Sequence, residues 1–188
     1  MRFTRAELES FRDSTVPDLV GPGVRLLFVG INPGLWTAAT GTHFAHPSNR
    51  FYPALRRGGL IDRDIDPAAG LSAEERAHLL QRGIGITNLV ARATARAGEL
   101  GNEELEAGRH RLHRVVAEVA PRVVAVAGVT AYRVAFGDRK AGMGRQAARL
   151  EGAELWVVPN PSGLNAHETV DSLSGWYRQV GEAAGLLA

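Results

Sequence analysis

Two hydrophobic periods take turns along this chain. Short apolar runs predict buried strands, and apolar residues spaced three or four apart predict helices. The first strand is Val24 to Val29, whose apolar run suits a central parallel strand covered on both faces. Gly85-Ile86-Thr87-Asn88 reads as the end of a second short strand, Val123 to Ala127 as a third and Leu155 to Val158 as a fourth. Between them fall helices. Thr4 to Asp13 opens the chain, with Thr4 and Glu7 at capping-box spacing, and Arg50 to Arg57 is stopped by Gly58-Gly59. Ser72 with Glu75 starts another helix, which Gly83 closes. In Asn102 to Ala120, Leu105, Leu112, Val115, Val116 and Val119 form an apolar stripe, and Arg109, Arg111 and Arg114 read as a solvated face. Val129 to Phe136 and His167 to Gly185 complete the set. Strand alternating with helix predicts a three-layer α/β/α domain spanning 1–188, with a mostly parallel four-stranded sheet.

Three strand ends carry unusual turns. Gly30-Ile31-Asn32-Pro33-Gly34 surrounds one asparagine with two glycines and a proline, and it leads into a loop of few charges holding Trp36, His43, Phe44, His46 and Asn49. The second strand ends in Thr87-Asn88, and the fourth delivers Asn160-Pro161-Ser162-Gly163-Leu164. In open α/β sheets such ends emerge along one edge and converge on one cleft. The chemistry they could supply there is amide hydrogen bonding, an aromatic face and an apolar tip.

These blocks, with Phe44-Ala45-His46-Pro47-Ser48-Asn49-Arg50-Phe51 and Gly85-Ile86-Thr87-Asn88-Leu89-Val90, resemble the mismatch-specific uracil and thymine DNA glycosylases of the uracil-DNA glycosylase superfamily. The resemblance covers roughly residues 23 to 182. It implies a monofunctional glycosylase that flips uracil, preferably mispaired with guanine, out of duplex DNA. The enzyme would hydrolyse the N-glycosidic bond without a cofactor and leave an abasic site for repair. Asn32 would hold the attacking water, since an amide takes no proton near neutral pH, and Asn160 would steady the leaving base or bind a phosphate. The backbones of Ile31 and Phe44 and the side chain of Asn88 would contact the base, on which Phe44 would stack. Thr37 would lie near C5 and exclude the methyl group of thymine. Leu164 would fill the space left by the flipped base, while Gly163 would let the backbone approach the duplex and, with Asn165, read the opposite guanine. Ala166 stands where some relatives have arginine, a departure that bears on that last contact.

Composition changes this picture in a few places. The formal charge of +2 and pI near 9.5 do not argue nucleic-acid binding by themselves. Cysteine is absent, which excludes disulfides, cysteine nucleophiles and thiolate-held iron-sulfur clusters. Lys140 is the only lysine, so a Schiff-base lyase has a single side-chain amine to draw on. His43 and His46 sit three apart but lack companion ligands, so no metal is expected, and His46 reads instead as ordering its loop. With no apolar run of membrane length and no signal-like amino terminus, a cytoplasmic monomer working on the nucleoid is the expectation. Two other readings compete: a mismatch- or damage-binding module with little turnover, and a hydrolase of free nucleosides.

Overall fold

The computed structural model describes residues 3–188. Its centre is a five-stranded sheet built from β1 (Leu26–Gly30), β2 (Ile84–Asn88), β3 (Val123–Ala127), β4 (Gly144–Leu150) and β5 (Ala153–Val158), in the order β2-β1-β3-β5-β4. The first four strands across the sheet run parallel and β4 alone is antiparallel. Every residue of β1, β2 and β3 is buried, because helices cover both faces.

Strand residues alternate between the two layers as the period of two requires. Leu26, Phe28, Ile84, Ile86, Val123 and Ala125 face one core. That core is closed by Phe51 and Leu55 of α3 (Phe51–Arg57), Leu79 of α4 (Ala73–Gln81), and Leu173 and Tyr177 of α7 (Val170–Ala183). Leu27, Val29, Val124, Val126, Leu155 and Val157 face the other. There they meet Leu105, Leu112 and Val116 of α5 (Asn102–Val119) and Ala131 and Tyr132 of α6 (Val129–Phe136).

The three-layer α/β expectation holds, with two corrections. A fifth strand was not anticipated. β4 reads Gly-Arg-Gln-Ala-Ala-Arg-Leu and has no apolar alternation to betray it, since it is an exposed sheet edge guarded by Arg145 and Arg149. It exists because Glu151 (φ 47°) and Gly152 (φ 86°) form a two-residue hairpin turn with both φ values positive, which folds it back on β5. The second correction is α2 (Leu35–Thr40), a helix of six residues where the sequence reads as loop. It is too short for a period to register, and it ends at Gly41 in the left-handed region.

The caps behave as their sequences dictate. Thr4 with Glu7 begins α1 (Arg5–Glu9), and Ser72 with Glu75 begins α4, each as a reciprocal capping box. The arginines of α5 differ among themselves. Arg114 is exposed, Arg109 lies over the Phe136 ring, and Arg111 is half-buried in a hydrogen-bond network rather than solvated.

Candidate functional site

The carboxyl ends of β1, β2, β3 and β5 open onto one cleft of about 380 Å³, a size suited to a small-molecule group. Ile31, Asn32, Thr37, Phe44, Asn88, Asn160, Gly163 and Leu164 all line it. Asn165 does not. Among the described residues no aspartate or glutamate lines it either, so acid-base chemistry by these residues lacks a carboxylate.

Asn32 sits just past β1, and its amide is oriented by its surroundings. Nδ2 donates to Thr94 Oγ1 at 2.8 Å and to the carbonyls of Arg92 at 3.0 Å and Pro33 at 3.2 Å. Thr94 Oγ1 in turn donates to the Arg96 carbonyl at 2.9 Å, so its own proton is committed and it can only accept from Asn32. Arg92 is itself tied down: its guanidinium spans Glu104 and Asp13, and its ion pair with Glu104 helps to hold that carboxylate at a pKa of about 2. With Nδ2 fixed on the protein side, Oδ1 is the end of the amide that can accept a hydrogen bond from a water. Such a water keeps a lone pair for an electrophile.

The stacking face is made by strain. Phe44 has φ 57°, an outlier for a bulky residue, and its ring stacks on Phe51 with centroids 4.2 Å apart and planes 25° apart. The opposite ring face is the one available to the cleft. Asn88 is buried beside it. An added Cβ at Gly30 would sit 2.4 Å from Asn88 Oδ1 and 3.4 Å from Phe44 Cζ, so Gly30 has no side chain because the amide occupies that space. Asn88 is held at both ends: its carbonyl accepts from Arg111 at 2.7 Å, and Nδ2 lies 3.1 Å from His43 Nδ1. His43 Nε2 lies 3.0 Å from the Pro17 carbonyl, and burial pushes the imidazole pKa below its ordinary value, which keeps the ring neutral.

Thr37 on α2 is buried at the cleft wall, with Oγ1 only 3.5 Å from the Ala45 amide. The Ile31 carbonyl is taken up by the Val90 amide at 2.9 Å. Asn160 Oδ1 accepts from the Ser162 amide at 3.0 Å, turning its Nδ2 to the other side. The loop beyond it carries Leu164, which is 88% exposed. Met143 is the only other exposed large hydrophobic among the described residues.

Two contacts within the protein add to the sequence reading of this loop. An added Cβ at Gly163 would fall 2.2 Å from Ser48 Oγ and 2.7 Å from the Ser48 carbonyl, so the glycine has a reason within the protein: it lets two loops touch. The Asn165 side chain is occupied inside the loop, with Nδ2 donating to the Asn160 carbonyl and Oδ1 accepting from the His167 amide. Its backbone is engaged as well, the amide donating to the Ser162 carbonyl at 2.9 Å and the carbonyl accepting from Arg50 at 3.0 Å.

Sequence reasoning missed Thr94, His43 as a partner of Asn88, and Arg50. Arg50 joins the two loops: its amide donates to Pro161, and its guanidinium donates to the carbonyls of Ser162 and Asn165. None has a local signal, since each acts on a residue more than forty positions away. His46 does order its loop, through Ser48. Among the described residues no three His, Asp or Glu side chains gather as a metal site would require.

Fold and cleft together define an α/β protein with an amide- and aromatic-lined cleft at the strand ends, beneath an exposed apolar lip. A sequence model of the uracil DNA glycosylase superfamily matches residues 17–180, and the chain belongs to that superfamily. Membership supports a uracil-DNA glycosylase activity with uracil-containing DNA as substrate. The fold is also that of a solution NMR structure from Methanosarcina acetivorans, a protein provisionally described as a uracil DNA glycosylase. The two share 17% identity at a TM-score of 0.59, over 88% of this chain and 96% of that one.

Proposed function

We propose that this protein is a monofunctional glycosylase of the mismatch-specific branch, which removes uracil from duplex DNA, preferentially when it is opposite guanine. The observation that carries the reading is Leu164: an exposed leucine is held at the lip of a cleft whose floor has an aromatic face and oriented amides. Extruding a base costs roughly a few kcal/mol, least at a mismatch, and an apolar side chain entering the vacated stack offsets part of it. The base stacks on Phe44, and Asn88 meets its polar edge. Water on Asn32 Oδ1 attacks the anomeric carbon as the glycosidic bond to the base breaks. The base leaves as an anion steadied by nearby donors, and the water's proton passes to solvent. Positioning without a general base predicts slow chemistry.

A second reading, a mismatch-binding module with little turnover, draws on the absence of a carboxylate from the cleft. One assay separates the readings. Uracil is presented opposite guanine in a duplex, in single-stranded DNA and as free deoxyuridine, and DNA products are run with and without alkali. The glycosylase reading expects alkali-dependent cleavage of the duplex and no release from the nucleoside. Binding without release would establish the module, and preference for the nucleoside a different hydrolase.

A further inference from the structure

Turning an asparagine amide over exchanges its oxygen and nitrogen with almost no change of shape, so partners alone decide which end faces a ligand. At Asn88 the deciding partner lies two hydrogen bonds away. The Pro17 carbonyl can only accept, so His43 Nε2, 3.0 Å from it, carries the ring proton. A neutral imidazole then has a bare lone pair on Nδ1, and Asn88 must turn Nδ2 toward it, at 3.1 Å. Oδ1 is thereby directed over Gly30, beside the Phe44 ring on the cleft floor. The histidine itself cannot swing away. Its ring is buried, and its carbonyl accepts from Tyr52 Oη at 3.0 Å.

We infer that His43 is a positioning residue that fixes which end of the Asn88 amide faces the base, and that it thereby sets uracil against cytosine. The inference rests on the glycosylase reading above and deepens it. Uracil carries a proton on N3 and can donate to Oδ1. Cytosine presents a lone pair at N3, which would oppose the oxygen, whereas the reversed amide would suit it. A buried polar group facing the wrong partner discriminates strongly, because neither side is then satisfied.

Two substitutions divide the histidine's functions. His43→Gln keeps a donor near the Nε2 position, and with it the tie to Pro17, but has no acceptor at Nδ1. His43→Asn keeps an oxygen near the Nδ1 position but cannot reach Pro17. Uracil and cytosine are each placed opposite the same abasic analogue, so that neither is paired, and single-turnover release is compared. The expected result is that the cytosine-to-uracil ratio rises about tenfold or more in His43→Gln and by less in His43→Asn. A folded His43→Gln protein with the wild-type ratio would overturn the inference. Nitrogen-15 NMR of the wild-type histidine ring reads the lock independently of any substitution: Nε2 protonated and Nδ1 bare are expected, and a proton on Nδ1 would overturn it. If the wild type released no uracil while the ring showed the expected tautomer, the glycosylase reading would fail and the lock would stand.

Discussion

Asn32 and Thr94 meet across 62 positions of sequence, and with Thr37 they show how much of the cleft depends on single side chains. The proposed role of Asn32 requires its amide oxygen outward, and Thr94 is the one side chain among the three acceptors that hold Nδ2. Thr94→Val keeps the shape and removes that acceptor. Single-turnover uracil release should fall about tenfold, the worth of one buried hydrogen bond, with little change in duplex affinity. An unchanged rate would show that the two carbonyls suffice. Thr37 poses a question of space. Its buried, β-branched side chain stands at the cleft wall and has only a long contact to the Ala45 amide. Thr37→Ala should therefore raise G:T release relative to G:U, one methyl group being worth roughly 1–3 kcal/mol. An unchanged ratio would remove Thr37 from the base's surroundings. Asn32 was legible in the sequence because an amide inside a glycine-proline turn at a strand end is itself a signal, and Phe44 and Asn88 stood out within the blocks that carry the family resemblance. Thr94 and His43 were not legible, because their meaning arises only when the sheet brings them to residues 62 and 45 positions away.

At the scale of elements, the cleft is an agreement between loops. Strand ends and helix caps were readable from apolar runs and from Thr4, Ser72 and Gly83, and these fixed the parallel core. The contact of the Ser48 loop with the Leu164 loop was not readable, since Gly163 serves a packing need that any flexible turn would mimic in sequence. The edge strand β4 was hidden for a related reason: an exposed edge needs hydrogen bonds and charge rather than apolar periodicity. Close packing at Gly163 leads to a test. Gly163→Ala places a methyl group against Ser48 backbone and side chain, and the leucine-bearing loop must shift. Uracil release from duplex should fall about tenfold or more, while release from single-stranded DNA, which needs no wedge, changes by less than about threefold. Equal losses on both substrates would show that the loop shapes the pocket rather than entering the duplex.

For the whole molecule, the buried histidine links folding to acidity. The His43 imidazole is held below its ordinary value of 6.5 chiefly by burial; Arg76 and Arg111 add to this, while the Pro17 hydrogen bond and Asp18 oppose it. The unfolded chain therefore takes up a proton near pH 6.5 that the folded chain refuses. Stability is full above that pH and is lost as pH falls toward the folded value. The melting temperature should decline between about pH 7 and pH 5, and His43→Gln should flatten the decline. An equally steep decline in the variant would place the acid sensitivity elsewhere. In the proposed function the fold binds DNA through phosphates and the exposed leucine while reserving Asn32 for the reacting water. Single-turnover release from a G:U duplex by wild type and by Asn32→Ala, each with its affinity for that duplex, tests this division most directly. Base release should be lost while affinity stays within about threefold. An Asn32→Ala protein that releases uracil within about threefold of the wild-type rate would contradict this division.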